Sequence, residues 1–179
     1  MTVVCHHGGV TVALDAVQPD GRAVLRIRRR PYSHPDVVDL VVALSAEQGG
    51  TYGYADPVEA NPDDYAAPRG VFLVAYTRSC KPIACGGYRT HDQSGTVEVK
   101  KMYTRPSWRG RGIGRRILFA LEQHAAASGA RRIILETGVR NTAALALYTG
   151  AGYQPTDPYV VGRDPEINRA FVKILADQG

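Results

Sequence analysis

The feature that most constrains this chain is the hexapeptide Arg109-Gly110-Arg111-Gly112-Ile113-Gly114, set between an apolar-charged run at residues 97–103 and a helix-like run at residues 115–122. Three glycines at alternate positions allow backbone conformations that side chains forbid and let the main chain approach a ligand closely. A helix beginning there adds its unpaired first-turn N–H groups and the positive end of its dipole, a combination suited to phosphate or pyrophosphate. A plain flexible turn joining a strand to a helix would carry the same residues.

Two phosphate-binding motifs are excluded by inspection. A Walker loop needs Lys followed by Ser or Thr after its last glycine, whereas Gly114 precedes Arg115 and Arg116. The dinucleotide fingerprint needs glycines two and five positions after the first, and here they fall at 110, 112 and 114. The loop instead resembles the Arg/Gln-x-x-Gly-x-Gly/Ala signature of the GNAT superfamily of acyl-CoA N-acyltransferases, through Arg109, Gly112 and Gly114. A second resemblance follows in Asn141-Thr142-Ala143-Ala144-Leu145-Ala146-Leu147-Tyr148 and Gly152-Tyr153, in the family's order and spacing, and the likeness spans residues 22–175.

The resemblance implies a mixed α/β (α+β) fold: a largely antiparallel central sheet of six to seven strands, splayed in the middle and flanked by about four helices. It implies acetyl-CoA as cosubstrate and a primary amine of a small molecule or peptide as acceptor. Carried over residue by residue, the loop Arg109, Gly110, Arg111, Gly112, Ile113, Gly114 and Arg115 would hold the pyrophosphate. Met102, Tyr103 and Thr104 would pair with the pantetheine arm like an added strand, and Asn141 would contact it. Tyr148 falls at the family's tyrosine and would be the general acid. Glu98, on the strand expected beneath the thioester, would be the general base, with Glu136 as the fallback. The competing reading is a non-catalytic acyl-CoA-binding sensor or interaction module. Relatives often form homodimers.

The rest of the chain bounds these expectations. With 179 residues one domain is expected: an N-terminal extension over residues 1–21, with room for an extra strand at 10–14, then a single domain over 22–179. No apolar run is long enough to span a membrane and the N-terminus does not read as a secretion signal. Three cysteines form a sparse set unlike a disulfide framework, so a reducing cytoplasm is the simplest home. A net charge of +5 raises nucleic acid, yet Arg105, Arg109, Arg111, Arg115 and Arg116 gather around the glycine loop, where a polyphosphate ligand explains them better. No cluster of Cys, His and carboxylates has metal-ligand spacing.

Alternation at residues 23–28 predicts a strand. Asp36 can start a helix carrying Val37, Val38, Leu40, Val41 and Leu44 on one face, with His34 read as a solvated loop residue. Residues 45–70 read as an irregular polar segment with a short helix after Asn61-Pro62. Its Tyr52, Tyr54 and Tyr65 beside Glu47, Asp56, Glu59, Asp63 and Asp64 suit either a cationic amine or an acidic surface. Apolar runs at 70–76 and 82–89 predict a hairpin, and a third strand covers 96–104. The amphipathic helix after the loop buries Ile113, Ile117, Leu118, Leu121 and Ala125 and ends at Gly129. A buried strand at 132–137, a helix capped by Asn141 and a last strand at 168–175 complete the expectation. Cys85, before two glycines, reads as a small buried hydrophobe rather than a nucleophile.

Overall fold

The computed structural model describes residues 25–58, 60–164 and 166–175, so the extension over 1–21 and the start of the first expected strand lie outside the described residues. In chain order the elements are β1 (Arg26–Arg29), α1 (Pro35–Tyr52), a 3-10 turn (Pro62–Tyr65), β2 (Gly70–Tyr76), β3 (Pro82–Thr90), β4 (Thr96–Thr104), a 3-10 turn (Pro106–Trp108), α2 (Ile113–Ala127), β5 (Arg132–Gly138), α3 (Thr142–Gly150), β6 (Gln154–Thr156) and β7 (Asn168–Ile174). The strands form one seven-stranded sheet in the order β1-β2-β3-β4-β5-β7-β6. Every neighbouring pair is antiparallel except β4 and β5. The largely antiparallel sheet is as expected, but the described residues hold three α-helices rather than about four. The helix expected after Asn61-Pro62 closes as one 3-10 turn because Ala66 is already extended.

Each face of the sheet carries its own core. Helices α2 and α3 cover one face, where Val97, Val99, Ile133, Leu135 and Phe171 meet the apolar stripe of α2. All five residues expected on that stripe are buried. On the other face α1 sends Val37, Leu40 and Val41 down onto Phe72, Val74 and Tyr103. Strand β2 is buried along its whole length, which its unbroken apolar sequence requires of a strand covered on both sides. Gly86 and Gly87 thin β3 at the crossing. A Cβ at Gly86 would lie 2.3 Å from the Met102 sulfur, and one at Gly87 would lie 2.5 Å from Phe72.

Several local expectations change. Helix α1 does not stop near Leu44 but runs through Gly49 and Gly50 to Tyr52. Neither glycine meets anything that forces a break, and the helix ends where Gly53, at φ 77°, donates its N–H to the Gly49 carbonyl. His34 is the N-cap rather than a loose loop residue: its Nδ1 accepts the Asp36 N–H at 3.2 Å. Val38 leaves the apolar face and is exposed. Cys85 is a free, fully buried thiol as read from sequence, whereas Cys80 is disulfide-bonded.

A candidate active-site cleft

The cleft begins where the sheet opens. Strands β4 and β5 pair only through Thr96–Glu98 and Arg132–Ile134. Beyond that, β5 keeps its pairing with β7 up to Gly138, while residues 99–104 of β4 turn an unpaired edge toward it. The divergence has a local cause. Cys85 faces Tyr103 but Gly87 faces Lys100, so Lys101 and Met102 together oppose Gly86 and bulge. Lys101 adopts the left-handed region at φ 58°, uncommon for a side-chain-bearing residue. The Cys85 thiol donates to its carbonyl at 3.4 Å from the neighbouring strand. The result is a cleft of about 530 Å³ running from the glycine loop to the ends of α1 and β5.

The glycine-loop wall is made of main chain. Gly110 and Gly112 lie at φ 73° and 70° with nothing near a hypothetical Cβ, so conformation and not space demands glycine at both. The first intrahelical bond of α2 runs from the Arg116 N–H to the Gly112 carbonyl at 3.1 Å. This leaves the N–H groups of Ile113, Gly114 and Arg115 without an acceptor inside the helix. Met102, Tyr103, Thr104, Arg109, Gly110, Gly112, Ile113, Gly114, Arg115 and Asn141 all line the cleft. Arg109 acts as a strut: its Nε donates to the Thr104 carbonyl at 2.9 Å, and its terminal nitrogen reaches Glu47 of α1 at 2.5 Å. Arg111 is exposed and stacks over Trp108 at 4.9 Å. Asn141 commits its carboxamide oxygen to the Ala144 N–H at 3.1 Å, capping α3.

Tyr148 reaches the cleft from α3, its ring packed against Tyr153 at 5.8 Å and Phe171 at 6.3 Å. Burial pushes its hydroxyl well above the usual tyrosine value, so it holds its proton at neutral pH. Glu98 does not line the cleft. Its side chain is 2 % exposed and is gripped by Arg89 at 2.9 Å and Lys100 at 3.2 Å, while the Tyr159 hydroxyl donates to it at 3.0 Å. Burial alone would raise its pKa, but Lys100 and Arg89 outweigh burial and hold the carboxyl below its ordinary value. A fixed, fully paired carboxylate of lowered basicity is a poor proton acceptor, so the geometry turns from Glu98 to its fallback.

Glu136 on β5 does line the cleft. Burial raises its pKa, with Arg163 and Lys100 only partly opposing. The Arg163 Nε stands 3.4 Å from its Oε2, and that oxygen is buried without a hydrogen-bond partner. Arg163, from the segment between β6 and β7, also bonds Asp56, from the segment after α1. Lys101 crosses to that segment and donates to the Pro57 carbonyl at 2.6 Å. Of the aromatic and acidic residues of 45–70, Tyr52, Tyr54, Glu47 and Asp56 line the cleft, whereas Tyr65 is buried against Tyr32 at 4.8 Å. Both cleft acids are taken, Glu47 by Arg109 and Asp56 by Arg163. The roles of Arg163, Lys101 and Asp56 carried no signal in the sequence, since their meeting depends on segments about 50 to 100 residues apart.

Among the described residues no group of His, Cys, Asp and Glu is placed to hold a metal ion, and no helix is long and apolar enough to cross a membrane. Compared with known proteins, residues 39–153 match the model of the acetyltransferase (GNAT) family. The IAA acetyltransferase of Azospirillum brasilense is 37 % identical over 132 residues, covering 71 % of this chain and 86 % of that protein. An uncharacterised N-acetyltransferase of Escherichia coli K12 is 30 % identical over 139 residues, covering 72 % and 80 %. Among solved structures, a protein of Klebsiella pneumoniae assigned as an acyl-CoA N-acyltransferase superposes with a TM-score of 0.74 at 26 % identity, covering 87 % of this chain and all of that one.

Proposed function

The chain belongs to the acetyltransferase (GNAT) family, and from that premise we propose that it moves the acetyl group of acetyl-CoA directly to a primary amine inside the cleft between β4 and β5. The observation that carries the reading is the continuity of that cleft. One passage joins a helix N-terminus with unpaired donors, a free strand edge, a protonated tyrosine and a carboxylate of raised basicity.

The residues fit the cosubstrate on three counts. The left-handed Gly110 and Gly112 shape a turn that ends in the N–H groups of Ile113, Gly114 and Arg115, donors for a diphosphate. The edge of β4 over Met102–Thr104 offers main-chain partners to an extended amide-bearing arm. At Gly114 a Cβ would stand 3.6 Å from Leu147 and 3.7 Å from Thr104, so hydrogen in its place keeps the floor of the cleft low. Acetyl-CoA, when bound, supplies an acyl thioester activated toward amines.

The chain's own residues then handle two protons. An aliphatic amine is charged at neutral pH, so one proton must leave before its nitrogen can form the C–N bond. Glu136 accepts that proton, directly or through one water, and its raised pKa makes it the better base of the two acids considered. Tyr148 keeps its proton until the C–S bond breaks, donates it from Oη to the sulfur, and recovers one from the nitrogen, which sheds its second proton as the amide forms. The bulge at Lys101 turns main chain toward the reacting carbonyl, where an N–H can stabilise developing negative charge. Attack is direct, because the buried Cys85, whose thiol pKa is pushed far up by burial, offers no nucleophile for a covalent relay.

The test is thiol release from acetyl-CoA across a panel of amines, with thermal shift by acetyl-CoA as the binding readout. The reading expects stabilisation by acetyl-CoA and turnover with at least one amine. Stabilisation without turnover on any amine would favour a binding module, and absence of stabilisation would remove the cleft assignment altogether.

A further inference from the structure

The charges inside the cleft are not balanced. Away from the glycine loop it is lined by four cations, Lys100, Lys101, Arg140 and Arg163. Lys100 faces Glu98, and Arg163 serves both Asp56 and Glu136. Lys101 and Arg140 form no ion pair with a carboxylate among the described residues; Asp56 acts on Lys101 from farther off but is itself bonded to Arg163. Their partners are main-chain carbonyls, Pro57 at 2.6 Å for Lys101 and Thr51 at 2.9 Å for Arg140. A carbonyl satisfies a donor but supplies no full counter-charge, so the half-buried Lys101 gains from an added anion, while the exposed Arg140 can meet one without a desolvation cost.

A third group points the same way. The Tyr52 hydroxyl is buried without a hydrogen-bond partner and stands against Gly138, where a Cβ would lie 2.2 Å from its oxygen. Arg140 follows two residues later and bonds the residue before Tyr52. The end of α1 and the end of β5 therefore present to the cleft an unpartnered hydroxyl and a guanidinium bonded to a main-chain carbonyl, with the Lys101 ammonium reaching over from β4. All three are donors, and none of them is paired with a carboxylate.

Resting on the transferase reading above, we infer that the acceptor is an amine that also carries a carboxylate, held by Lys101 and Arg140 with help from the Tyr52 hydroxyl while its nitrogen faces Glu136. Polycationic amines are disfavoured by the same charges, since Asp56 and Glu47 are already neutralised by arginines and cannot receive a second ammonium. Recognition rests on charge-assisted bonds to an anion rather than on an aromatic and acidic box for a cation.

The experiment compares matched amines that differ only in the acid: ω-amino acids of graded length against their amides and against the simple alkylamines and diamines of the same length. The expected result is a kcat/KM at least about tenfold higher for the amino acids. Lys101→Gln should erase most of that preference while leaving the KM for acetyl-CoA unchanged, and Lys101→Arg should restore it. Equal or better turnover of amides or diamines by the wild-type protein would overturn the inference. So would a Lys101→Gln enzyme that keeps its preference, or one whose defect lies in the KM for acetyl-CoA, which would assign the cation to the cosubstrate's phosphates. The wild-type panel decides the matter even if a variant fails to fold. Thiol release with no amine of any kind would remove the transferase reading and this inference with it, whereas turnover confined to neutral or cationic amines would leave that reading standing and remove only this one.

Discussion

The two walls of the cleft are built by opposite means. On the glycine-loop side the groups facing the passage are main-chain N–H and carbonyl groups: the first turn of α2, the unpaired edge of β4 and two left-handed glycines. On the opposite side they are side chains drawn from α1, the segment after it, β5 and the β6–β7 segment: Tyr52, Asp56, Glu136 and Arg163. Main-chain recognition depends on backbone geometry and tolerates exchange of most side chains. Recognition by side chains depends on each identity, and one change can redirect it. The comparison separates a wall suited to a shared cosubstrate from a wall suited to a particular acceptor.

The largest expected effect lies where the walls meet. Tyr148→Phe keeps the ring packing against Tyr153 and Phe171 and removes only the hydroxyl. It should lower kcat by about 100- to 1,000-fold, with little change in melting temperature or in the KM for acetyl-CoA. A fall of less than threefold would mean that the donor is another group. Next comes Glu98→Ala, which leaves Arg89 and Lys100 facing a void. Because Arg89 is 40 % exposed the loss should sit near the low end for a broken buried pair, about 3 kcal/mol in unfolding free energy. If instead kcat collapses at unchanged stability, Glu98 works in the chemistry and the geometric argument against it fails.

The same contrast explains what could be read from the sequence. The glycine loop was legible because left-handed backbone at residues 110 and 112 restricts the residue type, so geometry leaves a trace in composition. The α2 stripe and the β2–β3 hairpin were legible because burial imposes a period. The splay was expected only by resemblance, and its local origin, one extra residue in β4 opposite Gly86, has no sequence mark beyond that glycine. Helix α1 is longer than expected because residues 45–70 read as a polar, irregular segment, yet the helix buries its face well enough to carry Gly49 and Gly50 to Tyr52. Glu136 was a second choice because an isolated carboxylate in a strand gives no hint of its future neighbours. Arg163 and Asp56, 107 positions apart, meet only in three dimensions.

A smaller effect sharpens the distinction on the glycine-loop side. Gly112→Val forces a branched side chain into φ 70°, at a cost of about 1–2 kcal/mol, and should raise the KM for acetyl-CoA about tenfold. Arg111→Ala removes an exposed side chain stacked on Trp108 and should change that KM by no more than about twofold. The reverse order, with arginine mattering more than glycine, would make side-chain charge the main grip on the diphosphate and dissolve the contrast between the walls.

The smallest effect concerns the two acids whose environments diverge. For Glu98 the folded-state pKa is lowered by Lys100 and Arg89 against burial. Its contribution to stability is therefore present above the unfolded value of about 4.3 and is lost as pH falls through the folded value. For Glu136 burial raises the folded-state pKa. The sign reverses: its contribution is present below about 4.3 and is lost as pH rises through the folded value. Urea midpoints measured between pH 3 and pH 8 should thus respond oppositely to the two amides. Glu98→Gln should flatten the acid limb, because the carboxylate that must be protonated there has gone. Glu136→Gln should flatten the decline on the rising side, because no carboxylate then has to ionise in a buried place. The same Glu136 ionisation should appear as the acid limb of kcat if this carboxylate accepts the amine's proton. Coincidence of the kinetic and stability limbs in wild type, and disappearance of both in Glu136→Gln, would tie the base to the side-chain wall. A kinetic acid limb that survives the substitution would move the base elsewhere, and the division of labour between the walls would have to be redrawn.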